Sequence, residues 1–231
     1  MSGIWAVVPV KERGAAKQRI ARLLPEALRR ELADAMLEDV LDALVTAPGL
    51  AGIAVATVEP AVSRLAARYG ARVIEDGARD GHTGAVVAAG RVLKAEGQAG
   101  MLTVPGDVPL VTAAELRMLL AAHRAAPSFT IAPSHDERGS NAVLMSPPDA
   151  VPLRFGDDSF FPHLRAAEAQ GIRPTILRLP GIALDIDTPE DLAMFARLPS
   201  PTRTRAWLDE RGLITTLLSP SPGRQVQEGF S

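Results

Sequence analysis

The N-terminal stretch "IWAVVPV" (4–10), followed by "KERGAAKQRIARLLP" (11–25), decides how the rest of the chain is interpreted. The first part is short, continuous and rich in Val and Ile, which is typical of a buried strand. The second part places Lys11, Lys17 and Arg19 around a small-residue turn directly after that strand. Basic residues in this position form either a solvated turn that leads into a helix or a loop that binds phosphate.

Composition excludes several classes of function. The chain has 231 residues, 47% of them hydrophobic, which is enough for a sizeable core. It contains no cysteine, which excludes disulfides, thiolate metal ligands and a cysteine nucleophile. A net charge of −2, one tyrosine and two tryptophans give neither a basic field nor a stacking platform for nucleic acid. We therefore expect no nucleic-acid partner.

No part of the sequence indicates export or a membrane partner. No apolar run approaches the roughly 20 residues that a bilayer span needs. The N-terminal run is interrupted by Pro9 and has no basic segment before it, unlike a signal peptide. We expect a cytoplasmic protein.

Short apolar runs alternate with segments of helical period through the first half of the chain. Strands are predicted at 4–10, 52–58, 71–76 and 100–107, and helices at 25–46, 60–70, 82–96 and 113–124. Thr112 is the predicted N-cap of the last of these helices. The alternation predicts an α/β fold with a mostly parallel sheet between two helix layers.

The pattern changes after residue 127. Two strands, "SFTIAPS" (128–134) and "NAVLMS" (141–146), predict an antiparallel insertion. A helix near 158–170, strands at 174–180 and 182–187, and a helix from residue 189 follow. We predict one domain over 1–198, and over 199–231 a short helix (about 203–212) with a loosely ordered tail.

Three carboxylates follow two of the predicted strands. Asp107 lies in the turn "VPGDVP" (104–109), and Asp185 and Asp187 share one face of an extended segment. Ligands of α/β sheets bind at this edge, and oxygen donors of this kind suit Mg²⁺. Alternatively, Asp107 is a turn residue and Asp187, or else Thr188, caps the following helix.

Two further regions offer neutral donors at the same edge. Gly81, Thr83 and Gly84 begin a helix, where backbone amides bind an anion or a base edge, or where Thr83 is merely the N-cap. The segments 138–145 and 154–167 add polar or small residues, namely Ser140, Asn141, Gly156 and Ser159. Ser159 is a candidate cap for the helix that follows it. His163 is the one histidine near this region, and a core or surface position is the simpler interpretation of it.

The basic N-terminal loop matches neither of two common nucleotide-binding loops. It lacks the G-x-x-x-x-G-K-[ST] pattern of a P-loop, and the chain has no G-x-G-x-x-G. An ATPase of the P-loop class and a dinucleotide-binding domain are therefore not indicated.

Five segments, taken together and in order, carry a resemblance to one family. They are "VPVKERGAAKQRIA" (8–21), "VPGDVPL" (104–110), "DERGSNAVLM" (136–145), "RFGDDSFFPHLRAA" (154–167) and "LDIDTPEDL" (184–192). The chain resembles, over about 4–198, the 2-phospho-L-lactate guanylyltransferases. The family includes enzymes that use phosphoenolpyruvate and 3-phospho-D-glycerate, and it acts in the biosynthesis of coenzyme F-420.

The resemblance implies a single-domain nucleotidyltransferase fold of the glycosyltransferase-A type. It also implies roles for particular residues. GTP phosphates would be held by Lys11, Lys17 and Arg19, Mg²⁺ by Asp107, Asp185 and Asp187, the phosphorylated acid by Ser140, Asn141, Gly156 and Ser159, and the nucleotide by Gly81, Thr83 and Gly84. At the last of these places the family usually has an Asn, where this chain has His82 or Thr83.

The implied reaction moves GMP from GTP onto the phosphate of a three-carbon acid and releases pyrophosphate. The partners are then GTP, the acid and a downstream transferase that consumes the product, and a homodimer is compatible with the sequence. The three acids are left open. So are two alternatives: another nucleotidyltransferase, of the molybdopterin or sugar-phosphate type, and a non-catalytic ligand-binding module.

Overall fold

The structure is a computed structural model that describes residues 3–10 and 17–218. Its strands are β1 Ile4–Pro9, β2 Leu50–Ala56, β3 Arg72–Ile74, β4 Gly100–Thr103, β5 Ser128–Pro133, β6 Ser140–Ser146 and β7 Thr175–Ile176. Its helices are α1 Glu26–Thr46, α2 Pro60–Arg68, α3 Gly81–Ala95, α4 Ala113–Ala122, α5 Phe160–Ala169, α6 Pro180–Ala183, α7 Pro189–Arg197, α8 Arg203–Glu210 and α9 Leu213–Leu218. Lys11 lies outside the described residues, and so does its predicted role.

The seven strands form one sheet in the order β3-β2-β1-β4-β6-β5-β7. β1 pairs in parallel with β2 and β4, and β6 runs antiparallel to both β4 and β5. The predicted α/β class, with a mixed and mostly parallel sheet, is therefore confirmed, and so is the antiparallel insertion.

Alternating side chains of β1 belong to two different layers of core. Ala6 and Val8 pack with α1, α2 and α4 on one face of the sheet, while Val7 packs with α3 and α5 on the other. This is the period of two that an extended strand imposes. All three residues are fully buried, which explains why the N-terminal run is continuously apolar.

A third apolar cluster lies beside the sheet and joins distant parts of the chain. Its buried members are Ile20, Leu24, Leu32, Met36, Leu184, Ile186, Leu192, Phe195, Trp207 and Leu208. Helices α8 and α9 therefore pack behind the segments that carry Lys17 and Asp187. Asp39 of α1 reinforces this packing, because it accepts hydrogen bonds from the backbone nitrogens of Arg203 and Thr204.

Helix boundaries follow local signals in most places. Thr112 caps α4, as predicted, by accepting a hydrogen bond from the backbone nitrogen of Glu115. The predicted strand over 182–187 is wrong, because Pro180 begins the short helix α6 and residues 184–187 join no ladder. At the C-terminal end, α9 follows the predicted helix, and residues of the predicted tail from 219 onward lie outside the described part of the chain.

Candidate active site

A cleft of about 1010 Å³ opens at the edge of the sheet where β1 and β4 end. The loops that follow these strands line it, together with the start of β6. Because β6 runs antiparallel to β4, its first residues Ser140 and Asn141 lie at this same edge. The sequence-predicted loops around Lys17, Asp107, Ser140 and Asp187 are thus brought together in one cleft.

Lys17 lies at the centre of the carboxylate group. Its ammonium nitrogen donates to Asp107 Oδ2 at 2.7 Å and to Asp187 Oδ1 at 2.9 Å, and its side chain is only 8% exposed. Burial by itself lowers the pKa of Lys17, but the two carboxylates outweigh it and the net pKa is raised. Lys17 is therefore a buried, charged group held between two acids.

The backbone at Lys17 has a φ of 52°, which lies in the left-handed region that residues other than glycine rarely adopt. This conformation directs the chain into the turn that precedes Ile20. Backbone strain of this kind is typical of residues whose position is set by function.

Asp185 lies deeper than the other two acids. Burial raises its pKa to about 6, and the charges of Asp107 and Asp187 add to the effect. The amide of Asn141 opposes it by donating from Nδ2 to Asp185 Oδ1 at 2.9 Å. The family resemblance assigns Asn141 to the phosphorylated acid substrate. Its hydrogen bond to Asp185 gives it a second role, which is to position this carboxylate.

Hydrogen bonds hold both ends of α6, the helix that precedes Asp185. The Gly181 backbone nitrogen donates to Glu115 Oε1 at 2.7 Å, and Asn141 Nδ2 donates to the carbonyl oxygens of Ile182 and Ala183. Further along, the Ile186 backbone nitrogen donates to the carbonyl oxygen of Asp107 at 3.0 Å. These contacts fix the carboxylate segment without a sheet ladder.

Thr188, and not Asp187, caps α7. Its side chain accepts from the backbone nitrogen of Asp191, and Asp191 reciprocates, which completes a capping box. The alternative in which Asp187 serves as the cap is therefore excluded. Asp185 and Asp187 line the cleft while Leu184 and Ile186 are buried, so the predicted shared face is correct even though the strand was not.

Asp107, Asp185 and Asp187 offer carboxylate oxygens, the donor type that suits a divalent cation. Among residues 3–10 and 17–218, no three acidic or histidine side chains are grouped as ligands of one metal ion. The Lys17 ammonium instead lies between Asp107 and Asp187 and supplies the positive charge there. Two carboxylates that already share one positive charge are the kind of donors that Mg²⁺ uses together with phosphate oxygens.

The net charge of the described cleft lining also bears on cation binding. The described cleft-lining residues include three basic ones, Lys17, Arg19 and Arg138, and eight aspartates, Asp34, Asp80, Asp107, Asp136, Asp157, Asp185, Asp187 and Asp191. Such a surface repels a polyphosphate unless further cations accompany it. Arg19 is 62% exposed and pairs with Asp157 at 3.3 Å, so it lies at the rim.

Two predicted residues, Ser140 and Ser159, form one polar group with His163. Ser140 is buried, and its Oγ lies 2.9 Å from His163 Nδ1 and accepts a hydrogen bond from Ser159 Oγ at 3.2 Å. Ser159 precedes α5 but makes no side-chain cap, so its predicted capping role is wrong. Gly156 faces open space, since a Cβ at that position would meet nothing within 4 Å.

The start of α3 contributes two of its three predicted residues to the cleft. Gly81 and Thr83 line it, and Thr83 Oγ1 accepts a hydrogen bond from the Phe155 backbone nitrogen at 3.0 Å rather than capping the helix. Gly84 faces the preceding turn, where a Cβ would lie 2.3 Å from Asp80 Cβ. Close packing within the loop thus accounts for glycine at 84.

Sequence reasoning missed the contact of His163. This residue is 1% exposed and is hydrogen-bonded at both ring nitrogens, to Ser140 Oγ and to the backbone nitrogen of Arg154. No spacing in the sequence indicates this contact, because Ser140 lies on a different element, β6.

Comparison with known proteins identifies the family. Residues 4–226 match the family described as "Guanylyl transferase CofC like". The chain belongs to this family. The match extends beyond residue 198, where the resemblance seen in the sequence ended, and includes α8 and α9.

Curated relatives cover almost the whole chain. A phosphoenolpyruvate guanylyltransferase of Conexibacter woesei is 35% identical over 94% of this chain and 98% of its own. One of Rubrobacter xylanophilus is 37% identical over 82% and 92%. A 3-phospho-D-glycerate guanylyltransferase of Colwellia psychrerythraea is 33% identical over 84% and 92%.

Solved structures share the fold at low sequence identity. A protein of Desulfovibrio desulfuricans titled as a putative nucleotide-diphospho-sugar transferase has a TM-score of 0.76 at 18% identity, covering 94% of this chain and 99% of that one. A nucleotidyl transferase of Methanothermobacter has a TM-score of 0.58 at 21% identity, covering 84% and 96%. The nucleotidyltransferase fold is thus confirmed. Within the described ranges, no helix is both long and apolar enough to span a bilayer.

Proposed function

We propose that the protein transfers GMP from GTP to the phosphate of a small phosphorylated three-carbon acid and releases pyrophosphate. The observation that carries the proposal is the buried Lys17 ammonium held between Asp107 and Asp187, in a chain of the guanylyl transferase family. Phosphoenolpyruvate is the first candidate acceptor, because it appears in the names of most of the curated relatives compared, and 3-phospho-D-glycerate is the second. By the same resemblance, 2-phospho-L-lactate is a third.

The reaction is a displacement at the α-phosphorus of GTP. A phosphate oxygen of the acid forms the new bond to that phosphorus, and the bond to the bridging oxygen of the β-phosphate breaks, so pyrophosphate leaves with the electron pair. The attacking oxygen is already ionised, so no general base and no covalent enzyme intermediate is needed. The main obstacle is repulsion between two anions, and the site has to provide position and positive charge.

The chain's own residues divide these tasks. Lys17 supplies a fixed positive charge at the end of β1, and Arg19 supplies a second one at the rim. Lys11 is proposed as a further contact to the triphosphate. Ser140, Asn141, Gly156 and Ser159 line the cleft and are proposed to bind the acid, and Gly81 and Thr83 are proposed to contact the nucleotide.

Asp107, Asp185 and Asp187 are proposed to hold Mg²⁺, which would supply the charge neutralisation that bound phosphates need. The support is chemical: the donors are carboxylate oxygens, two of them already share a cation, and the cleft is acidic overall. A role in coenzyme F-420 biosynthesis and a downstream transferase are parts of the proposal that rest on the family resemblance. A cytoplasmic location and a homodimer are kept as proposals from the sequence.

A pyrophosphate-release assay tests the proposal. Purified protein is mixed with GTP, Mg²⁺ and each of the three acids in turn, with the transferase that consumes the product present, and ATP and CTP replace GTP as controls for the base. We expect release with GTP and one acid. If none of the three acids gives pyrophosphate release, or if all three nucleotides give equal rates, the result contradicts the proposal and favours another nucleotidyltransferase.

A further inference from the structure

The buried ring of His163 connects two walls of the acceptor side of the cleft. Its Nε2 lies 3.0 Å from the backbone nitrogen of Arg154, and its Nδ1 lies 2.9 Å from Ser140 Oγ. The Arg154 segment leads to Gly156, and Ser140 begins β6. One side chain thus contacts both of the segments that are proposed to bind the acid.

The partners of the ring determine its tautomer. A backbone N–H can only donate, so Nε2 of His163 must be the acceptor and carries no proton. The proton of the neutral ring is then on Nδ1, which donates it to Ser140 Oγ. Burial, with a smaller contribution from His82, lowers the pKa of His163 to about 4, in agreement with a neutral ring at neutral pH.

The tautomer in turn determines what Ser140 can do. Its oxygen accepts from His163 Nδ1 and also from Ser159 Oγ at 3.2 Å, which uses both lone pairs. Its own hydroxyl hydrogen has no acceptor among the described residues, and Ser140 lines the cleft. Ser140 is therefore left as a donor toward whatever occupies the cleft.

We infer that His163 is a positioning residue for the acid substrate, which makes Ser140 an obligate hydrogen-bond donor to an anionic oxygen of that substrate. The inference rests on the proposed function, because it assumes that the acid lies on this wall. It also predicts which kinetic constant responds. Loss of the arrangement weakens binding of the acid, whereas the triphosphate of GTP is proposed to lie at Lys17 and Arg19, which do not contact His163.

Two substitutions of similar size separate the two ring nitrogens. His163→Asn places an amide N–H near the position of Nδ1 and keeps a donor to Ser140, while His163→Gln places its polar atoms near Nε2 and does not. His163→Phe keeps the ring, which packs edge-on at 5.0 Å from Phe155, but removes both hydrogen bonds. Ser140→Ala removes the proposed donor and leaves the ring in place.

The test measures KM for phosphoenolpyruvate and for GTP separately, alongside thermal unfolding. A hydrogen bond to a charged group is worth about tenfold or more in affinity. We expect KM for the acid to rise by about that factor in Ser140→Ala, His163→Gln and His163→Phe, to stay within about threefold of wild type in His163→Asn, and KM for GTP to stay constant in all four.

Other outcomes overturn the inference. It fails if Ser140→Ala leaves KM for the acid unchanged, or if His163→Asn and His163→Gln behave alike. It also fails if KM for both substrates rises together, which a merely structural role predicts. Calorimetric binding of the same acid in the presence of GTP, with Mg²⁺ omitted, gives a second readout. A wild-type enzyme that binds the acid but releases no pyrophosphate contradicts the proposed function alone, and turnover with unchanged binding of the acid in Ser140→Ala contradicts the inference alone.

Discussion

The Lys17 ammonium nitrogen lies 2.7 Å from Asp107 Oδ2, across 90 positions of the sequence. The contact joins the loop after β1 to the loop after β4, and the backbone of Asp107 in turn accepts a hydrogen bond from Ile186. Three segments that are distant in sequence are therefore connected through one carboxyl-bearing residue. Lys17 is therefore the first residue to substitute.

Lys17→Met keeps the length of the side chain and removes its charge. We expect kcat to fall by about 100-fold or more, which is typical for loss of one preorganised electrostatic group. The matched control is Lys94→Met, because Lys94 pairs with Asp149 at the surface with its side chain 56% exposed, and its activity should stay within about twofold. Pyrophosphate release at saturating GTP and acid measures both. Near-wild-type turnover by Lys17→Met would remove it from the mechanism.

The left-handed backbone of Lys17 gives a second expectation at the same position. Glycine adopts a φ of 52° without strain, so Lys17→Gly should be as inactive as Lys17→Met but no less stable. Urea unfolding of the two variants tests this. A clearly less stable glycine variant would show that the side-chain stem of residue 17 matters more than its backbone.

Asp187→Asn tests the proposed cation site. The amide retains the shape of the side chain but binds a divalent cation less well, so we expect the Mg²⁺ concentration for half-maximal rate to rise, and kcat at high Mg²⁺ to fall by about 100-fold. The unfolding temperature should fall only modestly, because Thr188 caps α7 and Lys17 keeps Asp107 as a charged partner. Asp209→Asn, which breaks an exposed pair with Arg205, is the control. An unchanged Mg²⁺ dependence would argue against a cation at Asp187.

The fold could be predicted because its signal is local. Ala6, Val7 and Val8 form an uninterrupted apolar run because they alternate between two buried layers, and the helices that cover those layers repeat with their own period. The shared face of Asp185 and Asp187 was predicted correctly for a similar reason. Side chains alternate along any extended backbone, whether or not it joins a ladder.

Contacts between distant segments could not be predicted in this way. No spacing in the sequence indicates that Asn141 donates to Asp185, or that Lys17 reaches Asp107 from a left-handed turn. The same holds for His163, whose role depends on which backbone nitrogen it meets. Such pairs arise only when the sheet order places their strand ends side by side.

Leu208→Ala tests whether the C-terminal helices support the site. Leu208 is fully buried in the cluster that also contains Ile20 and Ile186, which lie next to the segments of Lys17 and Asp187. We expect a loss of about 2–4 kcal/mol in the free energy of unfolding, and inactivation at a correspondingly lower temperature. Leu218→Ala, at a position 44% exposed, should change stability by less than about 0.5 kcal/mol. Equal free energies of unfolding in the two variants would show that α8 does not contribute to the core.

The last prediction concerns the effect of low pH on the stability of the fold. His123 lies away from the cleft, with Nδ1 at 2.9 Å from Thr130 Oγ1 and Nε2 at 3.0 Å from Ser146 Oγ, and burial lowers its pKa from 6.5 to about 4. Between these two values the unfolded chain binds a proton that the folded protein does not. Stability is therefore complete above pH 6.5 and falls as the pH drops toward 4, by about 1–3 kcal/mol for this residue.

Substitution distinguishes this origin of the acid sensitivity from a general one. His123→Gln is uncharged at every pH, so the difference in unfolding free energy between pH 7.5 and pH 5 should shrink in this variant, whatever its absolute stability. His163→Asn should shrink the same difference, since burial lowers the pKa of His163 to about 4 as well. Urea titrations at the two pH values measure the effect. If the difference persists undiminished in both variants, the carboxylates and not the buried imidazoles govern acid unfolding.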